Sequence, residues 1–310
     1  MADASRLAAA VQIRQALRTA IADLQAAEVP SATLAAELLL MHVLGCDRAY
    51  LYTNPEIELA AEATERYFAL VAERATGKPT QYITGHQEFW GLDFEVTPDV
   101  LIPRPETEHL VETVLELARA EGRGNAALRI VDAGTGSGCI ALALASEAPR
   151  AFIYGIDISR PALEVAQRNA RRLGLDDRVR FVQSDLLSPV AGATLDFVVS
   201  NPPYVGGDEL DRVQRGVREW EPRIAWGGTG RGDEIYSLLF AQSLASLRPG
   251  GRVAVEVGYN QAAKVSGLLG EGWTATAVRP DLAGIPRVVV AQKKCRSPLS
   301  VVWWRLSVSS

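Results

Sequence analysis

Cysteine is scarce in this chain of 310 residues: Cys46, Cys139 and Cys295 are its three, far apart and without metal-ligand or redox spacing. So sparse and odd a set suits a reducing compartment. A surplus of positive charge is missing as well. Lys and Arg number 32 against 37 Asp and Glu, a formal net charge of −5, so no general basic field exists to attract a phosphate backbone. No apolar run approaches the roughly 18–20 residues that span a bilayer. The N-terminus is rich in Ala and Arg, but Asp3, Asp23 and Glu28 interrupt it and its apolar spacing continues into an ordinary helix, unlike an organelle presequence. These absences predict a cytoplasmic protein with no membrane and no direct nucleic-acid partner; a monomer is expected.

What is present is a globular composition, 48% hydrophobic and 22% charged, on a chain long enough for two domains. Residues 1–76 read as a small all-helical domain. Leu7, Val11, Leu17, Ile21 and Leu24 recur at helical spacing. Ser31 is the expected N-cap of a second helix that carries Leu34, Leu38, Leu39 and Val43 to Gly45. A third helix is expected after Asn54-Pro55, through Tyr67, Phe68 and Val71. His42 and, just beyond this bundle, His86 are isolated and form no catalytic constellation. Residues 77–105 read as a linker holding a hairpin at Phe89–Val96, stiffened by Pro98, Pro103 and Pro105 into a helix starting near Glu106.

From residue 106 to 293 strand and helix alternate. Strands are predicted at 129–132, 152–156, 179–183, 195–200, 251–257, 273–278 and 286–292. Helices are predicted at 138–147, 160–172, 234–247 and 260–269. This βαβ series makes a doubly wound, mostly parallel sheet of seven strands, whose ligand sits beyond the strands' carboxyl ends at the switch point. The remainder, 294–310, with Val301-Val302-Trp303-Trp304, is an extension without a clear place in the fold.

Two motifs follow strands and should share that edge. The first is the glycine-rich turn Gly134, Thr135, Gly136, Ser137, Gly138, preceded by Asp132 and followed, at the end of the next strand, by Asp157. Glycines let the backbone approach a ligand closely, and Asp157 is placed to accept hydrogen bonds from ribose hydroxyls. A nicotinamide dinucleotide would use similar geometry. The spacing G-x-G-x-G, together with the second motif, favours S-adenosylmethionine. Asp185 is then placed to accept from the adenine amino group, and Leu186 to wall the ring.

The second motif is Asn201-Pro202-Pro203-Tyr204. An amide or aromatic amino nitrogen is a poor nucleophile because its lone pair is delocalised. A protein activates it by accepting both N–H hydrogens as positive charge develops. The Asn201 side-chain oxygen and the Pro202 carbonyl suit that task. Pro203 keeps the preceding residue extended, and Tyr204 offers a face to the planar group. The motif by itself leaves nucleobase and amide acceptors open.

Over roughly residues 5–293 the chain resembles the release factor glutamine methyltransferases, the PrmC/HemK family. The resemblance is carried by Gly85–Trp90, Leu101-Ile102-Pro103-Arg104-Pro105-Glu106-Thr107-Glu108, the turn at 132–138, Asn201–Tyr204 and Glu219-Trp220-Glu221-Pro222-Arg223. It implies a Rossmann-like, S-adenosylmethionine-dependent enzyme that methylates the side-chain N5 of Gln in the Gly-Gly-Gln motif of class 1 peptide release factors. It places Gly134–Gly138, Asp157, Leu186 and Asn201 at the cofactor and Asn201–Tyr204 at the glutamine. One departure is Leu186, where some members carry Trp. Relatives that methylate a ribosomal-protein glutamine, and enzymes acting on amino groups of RNA or DNA bases, are the alternatives. The acidic balance and the Pro103–Glu108 segment argue for the release factor, with the helical front domain as its recognition element.

Overall fold

The computed structural model describes residues 11–188, 192, 194–206, 213, 215–227 and 232–295. Leu7 and, apart from Lys294 and Cys295, the C-terminal extension lie outside them. The front of the chain runs β1 (Val11–Gln12), α1 (Ile13–Ala26), α2 (Ala32–Leu44), α3 (Arg48–Thr53), β2 (Glu58–Leu59) and α4 (Ala61–Ala75). Ile13 and Leu24 of α1, Leu39 and Leu40 of α2, and Tyr67 and Val71 of α4 meet in one buried cluster. The Tyr67 hydroxyl donates to the Ala36 carbonyl at 3.0 Å, so the buried ring carries no orphan polar atom.

Three expectations for this bundle need correction. It is not wholly helical: Val11 and Gln12 pair antiparallel with Leu59 and Glu58, which delays the last long helix to Ala61. Asp47 caps the additional helix α3 by accepting from the Tyr50 N–H at 2.8 Å. Ser31 does not cap α2, because its backbone is left-handed (φ 53°) and its side chain makes no capping bond.

A short helix α5 (Thr80–Thr84) leads into the expected hairpin, β3 (His86–Phe89) and β4 (Leu92–Glu95), registered Phe89 to Leu92 and His86 to Glu95. Phe89 and Phe94 are buried with Leu110, Ile140 and Ile153. The hairpin thus shares the core of the sheet that follows it.

That sheet follows a 3-10 turn (Pro105–Thr107) and α6 (Glu108–Ala120). Its elements are β5 (Arg129–Ala133), α7 (Cys139–Glu147), β6 (Phe152–Asp157), α8 (Arg160–Arg172), β7 (Val179–Gln183) and β8 (Leu195–Ser200). Two short helices, α9 (Arg215–Trp220) and α10 (Arg223–Trp226), precede α11 (Glu234–Ser246), β9 (Leu247–Glu256), α12 (Ala262–Gly267), β10 (Trp273–Pro280) and β11 (Pro286–Lys293). The seven strands lie in the order 10-11-9-8-5-6-7. β9, β8, β5, β6 and β7 pair in parallel, while β11 runs antiparallel to both neighbours.

Alternation along β5 and β8 decides the two faces. Ile130, Phe197 and Val199 pack with Leu110 and Val114 of α6 and Ile140 of α7. Val131, Ala133 and Val198 pack with Tyr236, Leu239 and Phe240 of α11 and Val265 of α12. Every residue of β8 is buried, each large apolar one contributing about 1.5–3 kcal/mol. The chain leaves β5 for β6 on one side, while β8 lies on the other. The switch point therefore falls between the carboxyl ends of β5 and β8.

Candidate active site

Both motifs open at that switch point. The Ser200 hydroxyl donates to the Ala133 carbonyl at 2.6 Å, tying the end of β8 to the end of β5. Asn201 therefore stands beside the turn that begins at Gly134. Gly134, Gly136 and Gly138 take φ of 75°, 54° and 83°, the left-handed region that glycine enters without steric cost. Gly134 N and Thr135 N both donate to the Ile156 carbonyl, at 2.8 and 2.9 Å, folding the turn over β6. That approach needs Gly155 below it. A Cβ there would lie 2.6 Å from the Phe181 ring and 3.0 Å from Thr135 Oγ1.

Asp157 fixes the turn from the other side. Its two oxygens accept from Gly136 N at 2.9 Å and Ser159 N at 2.8 Å. Burial raises its pKa, and these backbone hydrogen bonds oppose the rise. Asp132 is wholly buried, accepts from Thr135 Oγ1 at 2.6 Å, and is pushed by burial up to about 7. Asn169, on α8 and also wholly buried, joins three elements. Its Nδ2 donates to the carbonyls of Ser137 and Glu95 at 3.0 Å each, and its Oδ1 accepts from Glu95 N at 2.7 Å.

These residues open on a cavity of about 450 Å³, within the usual range of about 300–1,000 Å³ for small-molecule sites. Of the residues singled out in the sequence, Gly134, Thr135, Gly136, Ser137, Asp157, Asp185, Leu186, Asn201 and Pro203 line it. Gly138, Pro202 and Tyr204 do not. Gly138 is the N-cap of α7, and Pro202 is buried. The face expected of Tyr204 is turned away from the cavity: its ring packs in the slot above Gly258, where a Cβ would come within 2.9 Å of Cε2. Burial raises its hydroxyl pKa to about 12. Leu186 holds a left-handed backbone (φ 49°), and the next N–H, that of Leu187, donates to Gln242 Oε1 at 2.7 Å.

Motif reading had not assigned site roles to the 99–107 segment or to the rim. Val100, Leu101, Pro103, Arg104 and Thr107 line the cavity from one side, and Ile224 and Leu238 from another. Glu221, buried, holds the segment by accepting from Ile102 N at 3.2 Å and from Arg104 Nη2. Thr107 is hydrogen-bonded to Asn201, whose Nδ2 donates to Thr107 Oγ1 at 3.1 Å. Thr107 Oγ1 in turn donates to Glu256 Oε2 at 2.6 Å. No helix among the described residues is long and apolar enough to cross a membrane. Nor do they hold a group of three or more His, Cys, Asp or Glu arranged to bind a metal.

A strand–turn–helix cradle with an acid on the following strand, facing a prolyl amide motif across one cavity, is the architecture of a Rossmann-like methyltransferase. Residues 107–268 accordingly match the family model described as the methyltransferase small domain, and residues 15–85 match the PrmC N-terminal domain. The chain is 52% identical to a protein of Koribacter versatilis named release factor glutamine methyltransferase, over 91% of this chain and 98% of that one. A protein of the same name from Moorella thermoacetica is 44% identical over 91% and 99%. Among solved structures, the hMettl16 catalytic domain in complex with MAT2A 3'UTR hairpin 1 matches 74% of this chain and 82% of its own. Its TM-score is 0.54 and its identity 17%, a likeness of fold alone. The chain belongs to the release factor glutamine methyltransferase family and is a methyltransferase.

Proposed function

We propose that the protein transfers a methyl group from S-adenosylmethionine to the side-chain N5 of the glutamine in the Gly-Gly-Gln motif of class 1 peptide release factors. The observation that carries this reading is the shared cavity: Gly134–Ser137 and Asp157 open on the same 450 Å³ as Asn201 and Pro203. The residues present suit the cofactor. A Cβ built on Gly134 or Gly136 meets nothing within 4 Å, leaving open space against the turn's backbone. The Asp157 oxygens keep lone pairs free for ribose hydroxyls beyond the two N–H groups they hold. Asp185 is the acceptor for the adenine amino group, and Leu186 and Ile158 supply apolar wall.

When bound, the cofactor supplies an electrophilic methyl carbon on a sulfonium. The chain's own residues prepare the acceptor. Asn201 Oδ1 takes one N–H hydrogen of the substrate amide, and the Pro202 carbonyl, which lies between the cavity-lining Asn201 and Pro203 although Pro202 itself does not line the cavity, takes the other as the substrate seats, favouring the pyramidal nitrogen whose lone pair forms the new N–C bond. Bound there, S-adenosylmethionine would supply the methyl carbon and keep the C–S bonding electrons on its sulfur, and the substrate nitrogen, acidic once methylated, would release its proton to water. No strong general base is required.

Recognition of the whole factor is assigned to the helical front. A second cavity of about 260 Å³ lies between Leu34 and Leu38 of α2 and the Ile102–Arg104 segment, and Arg104 lines both cavities. The test incubates the purified protein with methyl-labelled S-adenosylmethionine and release factor, ribosomal protein or RNA, followed by mass mapping. Label on the release-factor glutamine is expected. Label on a ribosomal-protein glutamine or a base would replace the proposed substrate. Asn201→Ala should reduce turnover by about 10²–10³-fold with cofactor binding retained. A short Gly-Gly-Gln peptide should show a much higher KM than the intact factor, and equal KM values would remove the bundle from recognition.

A further inference from the structure

Asn201 can assist an amide only if its carboxamide presents oxygen, not nitrogen, to the cavity. The two ends of that group have nearly the same size, so packing alone does not choose between them. A chain of two hydrogen bonds does. We infer that Thr107 and Glu256 are positioning residues that set which end of the Asn201 carboxamide faces the substrate. This rests on the role proposed above for Asn201.

Donors and acceptors decide the orientation. Thr107 has a single hydroxyl proton, and it goes to Glu256 Oε2 at 2.6 Å. What Thr107 then offers Asn201 is a lone pair, and only the NH2 end of the carboxamide can use it. The observed contact is that one, Nδ2 to Oγ1 at 3.1 Å. Turned over, Asn201 would set Oδ1 against an oxygen lone pair, with no proton between them. The carboxylate of Glu256 thus fixes the Thr107 rotor, the rotor fixes the amide, and Oδ1 is left as the free acceptor.

The relay is sheltered. Thr107 and Glu256 are both buried, and the Tyr236 hydroxyl anchors the Glu256 backbone carbonyl at 2.8 Å. It also depends on charge. A protonated Glu256 can donate to Thr107, release the hydroxyl proton toward Asn201 and reverse the preference. Burial, the largest cause, pushes the Glu256 pKa up to about 7. Around it, Arg287 on β11 and Arg104 favour the carboxylate, and Glu106 opposes it. Thr107 donates to it directly, and Tyr204 and Cys139 are neutral neighbours with raised pKa values.

The test measures kcat and KM on intact release factor from about pH 6 to about pH 9 for wild type, Thr107→Val, Thr107→Ser and Glu256→Gln. Thermal midpoints and S-adenosylhomocysteine binding report that each variant is folded. Wild-type kcat should fall on the acid side along a single-proton limb near pH 7. Thr107→Val should lose about 10- to 100-fold in kcat with cofactor KM unchanged, and Thr107→Ser should restore it. In Glu256→Gln the acid limb should vanish, since a carboxamide does not titrate. A Thr107→Val enzyme with normal kcat, a Thr107→Ser enzyme as slow as the valine variant, or an unchanged acid limb in Glu256→Gln overturns the inference. An active Asn201→Ala enzyme would instead overturn the underlying role of Asn201, so the two failures are distinguishable.

Discussion

At the scale of single residues, the site works through acceptors held in place by the backbone. Asp157 shows this best, because the two N–H groups it accepts from belong to the turn and to the start of α8. Asp157→Asn keeps the shape but replaces one acceptor oxygen with a donor, setting an NH2 against an N–H and removing the charge from the proposed ribose site. Hydrogen bonds to a charged group are worth about 1.5–3 kcal/mol, so S-adenosylmethionine should bind about 10- to 100-fold more weakly, as read by calorimetry; unchanged affinity would remove the ribose role. Asp157 was legible because a strand-end acid following a glycine turn is a local pattern. Thr107 and Glu256 were not. They stand 94 and 149 residues from their partners in the relay, and no local spacing relates a threonine after a prolyl turn to a glutamate ending a later strand. For Tyr204 the motif gives its place in the chain, but the vacancy above Gly258 decides where its ring goes.

At the scale of elements, the strands and the helices between them were readable because alternation and 3.6-residue periodicity report directly on burial. The differences arose where tertiary pairing overrides local preference. The β1–β2 ladder takes up residues whose spacing reads as helical, and β9 begins at Leu247, earlier than its apolar run. The hairpin β3–β4 also proved more than a connector. Asn169 makes two hydrogen bonds to Glu95 on β4 and one to Ser137 in the glycine turn. The hairpin therefore braces the cofactor turn through α8. Asn169→Ala leaves the buried Ser137 carbonyl unmet, at about 1–3 kcal/mol, and takes a partner from the half-buried Glu95 N–H and carbonyl, at a smaller cost. The expected result is a loss of roughly 2–4 kcal/mol in denaturant unfolding, with weaker S-adenosylmethionine binding in the folded enzyme. If stability falls and affinity does not, the turn does not depend on the hairpin.

At the scale of the whole molecule, the switch point of the sheet concentrates carboxyl groups where water is excluded. Asp132 and Glu256 are buried and raised to about 7, while burial also raises Asp157. Elsewhere a buried acid is stabilised as its anion: for Asp196 the effect of burial is outweighed by hydrogen bonds from Arg123 and Arg248, and its pKa is lowered. The sheet thus pays for charge at its catalytic edge, and that cost depends on pH. A carboxyl whose folded pKa exceeds its unfolded value binds its proton more tightly in the native state. Its contribution is therefore complete below the unfolded pKa, declines across the interval between the two values, and is lost as pH rises through the folded pKa. For Glu256, with a folded pKa of about 7 and an unfolded value near 4.3, stability should be on the order of 1 kcal/mol higher at about pH 6 than at about pH 8. Glu256→Gln should lack that increment. Asp132 is present in both proteins, so its similar dependence cancels in the difference between their urea unfolding curves. The stability change and the catalytic acid limb then run in opposite directions across the same titration: the proton that steadies the fold disables the relay to Asn201. Parallel pH dependence of stability in wild type and Glu256→Gln would show that Glu256 is already ionised at about pH 6 and leave the acid limb without its titrating group.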